Sequence, residues 1–302
     1  MAESFDVIIV GGGPAGYVCA IRAAQLGLET AVVEREKLGG VCVNVGCIPS
    51  KALLHSAWLA NLVRHDAAQF GITVGDVELD FSVAMRRSRQ VSEQNSKGVA
   101  FLMKKHKVEV IKGTGKLQRG RKIRVGNKTY SAAKALVIAT GTRAKGLPQI
   151  GLDIDKTTVI SSDEALFLER VPESLAVVGA GAVGMEFADI FNAFGSEVTV
   201  IEVLPRVLPL EDEDSSDAIA RAFKKRKIKL LAGATIKGAR VAADRVTLEV
   251  EAQGRTQSLE FEKVLMAAGR ALNTEKLGLE EAGVKLDDSG FIQVDRNLRT
   301  AA

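Results

Sequence analysis

Phe5-Asp6-Val7-Ile8-Ile9-Val10-Gly11-Gly12-Gly13-Pro14-Ala15-Gly16 decides the fold. Val7 to Val10 is an unbroken apolar run, the mark of a strand buried on both faces. Gly11, Gly13 and Gly16 then fall in the spacing Gly-x-Gly-x-x-Gly. An Ala-rich helix is expected from about Tyr17 to Leu26, with Gly27 ending it. A second strand, Thr30-Ala31-Val32-Val33, finishes in the acid Glu34. Strand, glycine turn, helix, strand and acid together make a dinucleotide-binding βαβ unit. Gly11 permits the tight turn, Gly13 lets backbone N–H groups approach a pyrophosphate, and Gly16 lets helix and strand pack closely. The helix N-terminus favours phosphate charge. Glu34 can accept hydrogen bonds from a ribose.

The same design recurs. Leu175-Ala176-Val177-Val178 leads into Gly179-Ala180-Gly181-Ala182-Val183-Gly184, then a helix from Met185 to Phe194, then Glu197 to Glu202. Glu34 stands 23 positions after Gly11, and Glu202 stands 23 positions after Gly179. One such fingerprint is weak, because glycines at these spacings also mark ordinary turns; two copies in register are not. A carboxylate ending the second strand suits a free 2′-hydroxyl and repels a 2′-phosphate. Glu202 therefore favours NAD over NADP at the second site, with Arg206 nearby as the opposing feature.

Between the copies, Leu53–Phe70 and Phe81–Lys105 have helical periodicity. Val108–Ile111, Leu117, Ile123–Val125 and Thr129-Tyr130 read as short strands of an antiparallel region. Ala135–Gly141 and Lys263–Arg270 each read as a buried strand entering a glycine turn, and Pro148–Gly151 separates the halves. The expected fold class is α/β, with two Rossmann-like nucleotide-binding domains in three layers. Each has a parallel sheet with an antiparallel β-meander crossover. The expected divisions are residues 1–148, 149–270 and a return segment 271–302.

The 302 residues are 46% hydrophobic and 26% charged, which fits a packed core. With one Trp and two Tyr, the chain is poor in base-stacking surface, and a net charge of +4 is modest. The runs Arg86-Arg87-Ser88-Arg89 and Lys224-Lys225-Arg226-Lys227 read as solvated helix faces rather than a nucleic-acid patch. No apolar run approaches the roughly 20 residues of a membrane span, and no secretory signal is apparent. The expected location is the cytoplasm, or a mitochondrial matrix in a eukaryote.

Two of the three cysteines form the most chemical motif, Gly39-Gly40-Val41-Cys42-Val43-Asn44-Val45-Gly46-Cys47-Ile48-Pro49-Ser50-Lys51. A helix starting near Cys42 would bring both sulfurs to one face. A helix N-terminus favours a thiolate. A closed pair accepts two electrons, and an open pair attacks a disulfide. Lys51, four positions after Cys47, falls on the same face and could stabilise negative charge. A zinc site is disfavoured, since a second ligand pair is lacking and His55, His65 and His106 are distant in sequence; no metal is expected. Cys19 reads as a small packing residue.

At these residues the chain resembles the class I flavoprotein (pyridine nucleotide-disulfide) oxidoreductases, most closely the branch that oxidises dihydrolipoyl groups. The resemblance extends over Ala139-Thr140-Gly141, Ser161–Leu166, Gly179–Ala188 and Ala268-Gly269-Arg270. It implies that Gly11, Gly13, Gly16 and Glu34 bind FAD. Gly40, Cys42 and Lys51 would line its ring system, and Gly115, Thr140 and Gly141 would add backbone contacts. It implies that Gly179, Gly181, Gly184, Glu202, Ile236 and Gly269 bind NAD. Cys42 would meet the substrate, Cys47 would meet the flavin, and Glu186 would pair with Lys51. The implied partners are a lipoyl-bearing substrate domain of a 2-oxo acid dehydrogenase or glycine cleavage complex and, in the full-length form, a second copy of the chain. Glutathione- or mercuric-reductase chemistry remains an alternative, and so does an inactive nucleotide-binding fragment. Family members continue past Thr300 with a Gly-Asp pair and an interface domain supplying a His–Glu pair. The sequence is therefore expected to be C-terminally truncated, without that interface domain.

Overall fold

The structure is a computed structural model describing residues 3–302. The chain forms two compact units: Met1–Cys47 with Ser92–Arg143 and Ala271–Ala302, and Ile48–Val91 with Ala144–Arg270.

The first unit begins with β1 (Glu3–Val10), α1 (Pro14–Gln25) and β2 (Thr30–Glu34). A short helix α2 (Gly40–Val45) follows, and the next helix α3 (Cys47–Asn61) starts at the end of this segment. Helix α4 (Phe81–Lys105) brings the chain back. Four more strands complete the sheet: β3 (Glu109–Lys112), β4 (Gly115–Gln118), β5 (Lys122–Val125) and β6 (Lys128–Ile138). Their order is β3-β2-β1-β6-β5-β4. The first four run parallel, and β6-β5-β4 form the antiparallel meander.

The apolar run Val7–Val10 that ends β1 is buried throughout. Val7 and Ile9 pack with Ala20 and Ala23 of α1 and with Val99 and Met103 of α4. Ile8 and Val10 face the other way, into a cluster with Leu117, Ile123, Leu277 and Leu279. Both faces are dry, so neither alternate position can be polar. The return segment supplies part of the second face, and the Leu117 N–H donates to the Leu277 carbonyl at 2.8 Å.

A short strand β7 (Thr142–Ala144) leaves this unit. The second unit contains β8 (Val159–Ser161), α5 (Ser162–Ala165), β9 (Ser174–Val178), α6 (Ala182–Ala193) and β10 (Glu197–Glu202). Then come α7 (Glu213–Lys225), β11 (Lys229–Ala232), β12 (Thr235–Val241), β13 (Val246–Ala252), β14 (Arg255–Phe261) and β15 (Lys263–Met266). The parallel sheet is ordered β11-β10-β9-β15-β8, and β12-β13-β14 form a separate antiparallel sheet. Val246, Leu248 and Val250 of that meander pack with Ala176, Val178, Val264 and Met266 of the parallel sheet. The last strand, β16 (Arg270–Leu272), pairs with β7, so the outgoing and returning chain passages are joined.

The α/β class, the parallel sheets and the antiparallel crossovers are as expected. Helicity begins earlier than the Leu53 start expected from periodicity. Helix α3 starts at Cys47, continues as a π-turn over Leu62–Asp66 and closes as a 3₁₀ turn over Ala67–Phe70. Pro49 is the third residue of that helix, where a missing N–H removes no intrahelical bond.

Candidate functional site

Gly11 turns the chain out of β1 at φ 108°. Its N–H donates to the Val33 carbonyl at 2.8 Å. A Cβ at Gly11 would run into the Ala139 carbonyl, and one at Gly16 would run into the Gly11 carbonyl. These two positions therefore exclude side chains by contact. Gly13 differs: a Cβ there would meet only the Gly40 Cα, at 3.8 Å. The backbone at Gly13 borders open space, and it N-caps α1 without any side-chain cap. First-turn amides left uncapped by side chains are a ready anion site. Glu34 closes the turn, accepting from the Gly12 N–H at 2.7 Å and the Glu36 N–H at 2.8 Å.

The second copy repeats this bond for bond. Gly179, at φ 103°, donates to the Ile201 carbonyl at 2.8 Å. Glu202 accepts from the Ala180 N–H at 2.7 Å and the Leu204 N–H at 2.9 Å. A Cβ on Gly184 would strike the Gly179 carbonyl, whereas one on Gly181 would meet nothing within 4 Å. Arg206, the feature that weighed against NAD, donates to the Glu211 carbonyl at 3.1 Å and lies 3.8 Å from the Glu213 carboxylate. Ile236 is half-buried against the core of the second unit, and Gly269 turns at φ 104° after β15.

A cleft of about 370 Å³ opens in the first unit, lined by Gly11, Glu34, Gly115 and Thr140 among others. Two of its residues had no signal in the sequence. Asn273 donates from Nδ2 to the Thr140 carbonyl at 2.9 Å, and its N–H donates to the Gly141 carbonyl at 3.1 Å. Arg143 donates from Nη1 to the Leu272 carbonyl at 2.7 Å and from Nη2 to both Glu275 carboxylate oxygens at 3.1 and 3.2 Å. Only the return of residues 271–302 brings these groups together, about 130 residues along the chain.

Cys42 and Cys47 are joined in a disulfide with Cα atoms 4.6 Å apart. They do not share one helix face, which corrects the expectation from spacing. Cys42 lies in α2, which ends at Val45, and Cys47 is the first residue of α3. Gly46 separates them at φ −146°, ψ −118°. In a continuous helix, positions five apart would sit about 140° off a common face and about 7.5 Å apart along the axis; the break folds one sulfur toward the other. It also puts Cys47 at a helix N-terminus, where a thiolate is stabilised by the helix field. Gly39 at φ 95° and Gly40 at φ 58° bend the chain into α2, and a Cβ on Gly40 would lie 2.6 Å from the Gly13 Cα.

One turn into α3, the Lys51 ammonium pairs with the Glu186 carboxylate of α6. Ser50, almost fully buried, donates to the other Glu186 oxygen at 3.5 Å. Burial pushes the Cys19 thiol above its ordinary range, in keeping with a packing role. Among the described residues, no group of three or more His, Cys, Asp or Glu could hold a metal ion. No helix there is long and apolar enough to cross a membrane.

The family model described as pyridine nucleotide-disulphide oxidoreductase matches residues 5–302. A dihydrolipoyl dehydrogenase of Mycobacterium bovis is 43% identical over 98% of this chain and 64% of its own length. One of Bacillus subtilis is 40% identical over 99% of this chain and 65% of its own length. The solved structure of the HOCl-induced flavoprotein disulfide reductase RclA from Escherichia coli, a Cu(II) complex, is 28% identical with a TM-score of 0.84, covering all of this chain and 64% of its own. The chain thus spans a little under two thirds of the length of these relatives.

Proposed function

The chain belongs to the pyridine nucleotide-disulphide oxidoreductase family, and from that membership we propose that it is the two-nucleotide part of a dihydrolipoyl-oxidising flavoprotein. In this reading residues 1–148, with 271–302 returning to them, hold FAD, and residues 149–270 hold NAD. Two open glycine cradles support the fit. The space beside Gly13 and Gly181 is free of side chains, at helix N-termini that no side chain caps. The FAD cleft would use Gly11, Glu34, Gly115, Thr140 and Gly141. The NAD site would use Gly179, Gly184, Glu202, Ile236 and Gly269. Engagement of Arg206 by Glu211 and Glu213 supports NAD over NADP, and hence the dihydrolipoyl reading over the glutathione or mercuric one.

FAD, when bound, supplies the two-electron relay between the cysteine pair and NAD⁺. The protein's own part is thiol exchange. One thiolate of the reduced lipoyl group attacks the Cys42 sulfur, and the S–S bond breaks with its electron pair on Cys47. The second lipoyl thiol then attacks the mixed disulfide, leaving oxidised lipoyl and two reduced cysteines. The N-terminus of α3 and the Lys51 ammonium one turn on hold the Cys47 thiolate, and Glu186 holds Lys51. The lipoyl group would come on the swinging domain of a multienzyme complex in the cytoplasm or a mitochondrial matrix, and the full-length form would be a homodimer.

The observation that carries the proposal is the Cys42–Cys47 disulfide, formed across a helix break in the unit with the first fingerprint. Its test is the visible spectrum of the purified protein before and after anaerobic dithiol. Flavin bands that gain a long-wavelength thiolate-to-flavin shoulder are expected. A colourless protein, even with FAD added, would leave this chain an inactive nucleotide-binding piece. Cys47→Ser should abolish reduction of the flavin by dithiol while NADH still reduces it.

A further inference from the structure

Helix α4 carries serines at 88, 92 and 96, one per turn along a single face. Each donates its hydroxyl to a backbone carbonyl of the segment around the cysteines. The Ser92 Oγ donates to the Val43 carbonyl at 2.7 Å and to the Asn44 carbonyl at 3.3 Å. The Ser96 Oγ donates to the Leu38 carbonyl at 3.1 Å. Ser88 donates to the Pro49 carbonyl at 3.0 Å, beyond the second cysteine. Ser88 is 0% exposed and Ser92 1%, so bulk solvent does not reach either hydroxyl. Asn44 ties the loop to itself, donating from Nδ2 to Leu38 and Gly40 carbonyls at 3.0 and 2.9 Å.

These bonds land where the backbone most needs them. A six-residue helix leaves its last carbonyls without intrahelical partners. In α2 those carbonyls flank Cys42, and the next helix begins only at Cys47. Nothing in the regular structure of α2 itself fixes the distance from Cys42 to Cys47 once the S–S bond is open. Ser92 and Ser96 supply that restraint from a 25-residue helix that does not depend on the disulfide.

We infer that Ser92, assisted by Ser96, is a positioning residue for the redox pair. It holds the end of α2 so that the reduced Cys42 thiol stays within bonding distance of Cys47. It acts through the Val43 and Asn44 carbonyls that its hydroxyl binds. The inference rests on the redox reading of the cysteine pair, but not on bound flavin or on turnover. Restraint of the open form raises the effective concentration of one thiol at the other, and so favours the closed disulfide.

The measurement is the equilibrium of the full chain with glutathione. The protein dithiol plus oxidised glutathione gives the protein disulfide plus two reduced glutathiones, read by alkylating the remaining thiols and weighing the products. Ser92→Ala should lower the closing constant by about three- to tenfold, a potential roughly 15–30 mV more positive. Ser88→Ala removes an equally buried hydroxyl of the same row from a carbonyl outside the Cys42–Cys47 loop. It should lower the unfolding midpoint as much as Ser92→Ala does, yet leave the closing constant unchanged. An unchanged constant in Ser92→Ala, or an equal shift in Ser88→Ala, would overturn the inference. If Ser92→Ala does not fold, the half-buried Ser96→Ala removes the α4 donor from the Leu38 carbonyl ahead of α2. It so reads the Cys42 side of the pair, which Ser88 on α3 does not hold; a smaller shift is expected, and no shift counts against the inference. A wild-type pair that never closes with oxidised glutathione would instead defeat the redox reading itself.

Discussion

Gly40 stands at φ 58°, with the Gly13 Cα 2.6 Å from where its Cβ would be. It is therefore fixed twice, by the left-handed backbone and by the approach of the first glycine turn. Gly40→Ala should cost about 2–4 kcal/mol, the sum of a left-handed penalty and an overpacking term. Urea unfolding checks this; a cost under 1 kcal/mol would show that the approach is relaxed in solution. Lys51 and Glu186 present the opposite case. The Lys51 side chain is 60% exposed and that of Glu186 27%, so the pair contributes about 0–1 kcal/mol to stability. If the proposed role is right, Glu186→Gln leaves the unfolding midpoint nearly unchanged but slows NADH-driven flavin reduction by at least about tenfold. Stopped-flow absorbance separates the two, and equal rates would remove Glu186 from the chemistry.

At the scale of elements, the turn into β8 is held by one carboxylate. Asp155 accepts from the Thr157, Thr158 and Val159 N–H groups at 2.7, 2.7 and 3.0 Å, and from the Thr157 hydroxyl at 2.9 Å. Partial burial pushes its carboxyl upward, but these donors outweigh it, and the group ends below its ordinary value. A depressed folded-state pKa contributes stability above the unfolded value near 3.8, and that stability is lost as pH falls through the lower folded value. Asp155→Ala should therefore destabilise by about 1 kcal/mol at pH 7, solvent exposure discounted. The gap from wild type should narrow as pH falls below the unfolded value near 3.8 and close only below the lower folded value. Urea midpoints at pH 7 and pH 3 test the sign. The α2–α3 break belongs to this scale too. Cysteine spacing suggested one helix, because four intervening residues suit a turn. Gly46 ends the first helix instead, and only that break lets the sulfurs bond.

At the scale of the whole molecule, one design is used twice, down to the carboxylate that clamps each glycine turn. If the first copy holds FAD and the second NAD, the two acids are separable. Glu34→Gln should weaken flavin retention, about tenfold in Kd, and leave NADH affinity intact, while Glu202→Gln should do the reverse. Fluorescence titration with each nucleotide decides it, and a variant that weakens both equally would argue for general unfolding of the turn.

The two nucleotide folds, their strands and their acids were legible in residues 5–34 and 175–202, because a tight glycine turn, a dry strand and a clamping carboxylate are local requirements. The cysteine pair was also legible as a pair, and the structure joins it in a disulfide. The helix break between its members was not, since it depends on Gly46 and on how α2 ends against α4. Nor was Asn273 legible, which reaches the Thr140 turn only after the chain returns from the second unit, nor were the return-segment partners of Arg143. Nor were the carbonyl partners of Ser88, Ser92 and Ser96, which read in sequence as polar residues on a helix. Local backbone geometry and alternating burial are written in short stretches of chain; which distant hydroxyl or amide meets an orphaned carbonyl is decided only when packing brings the stretches together.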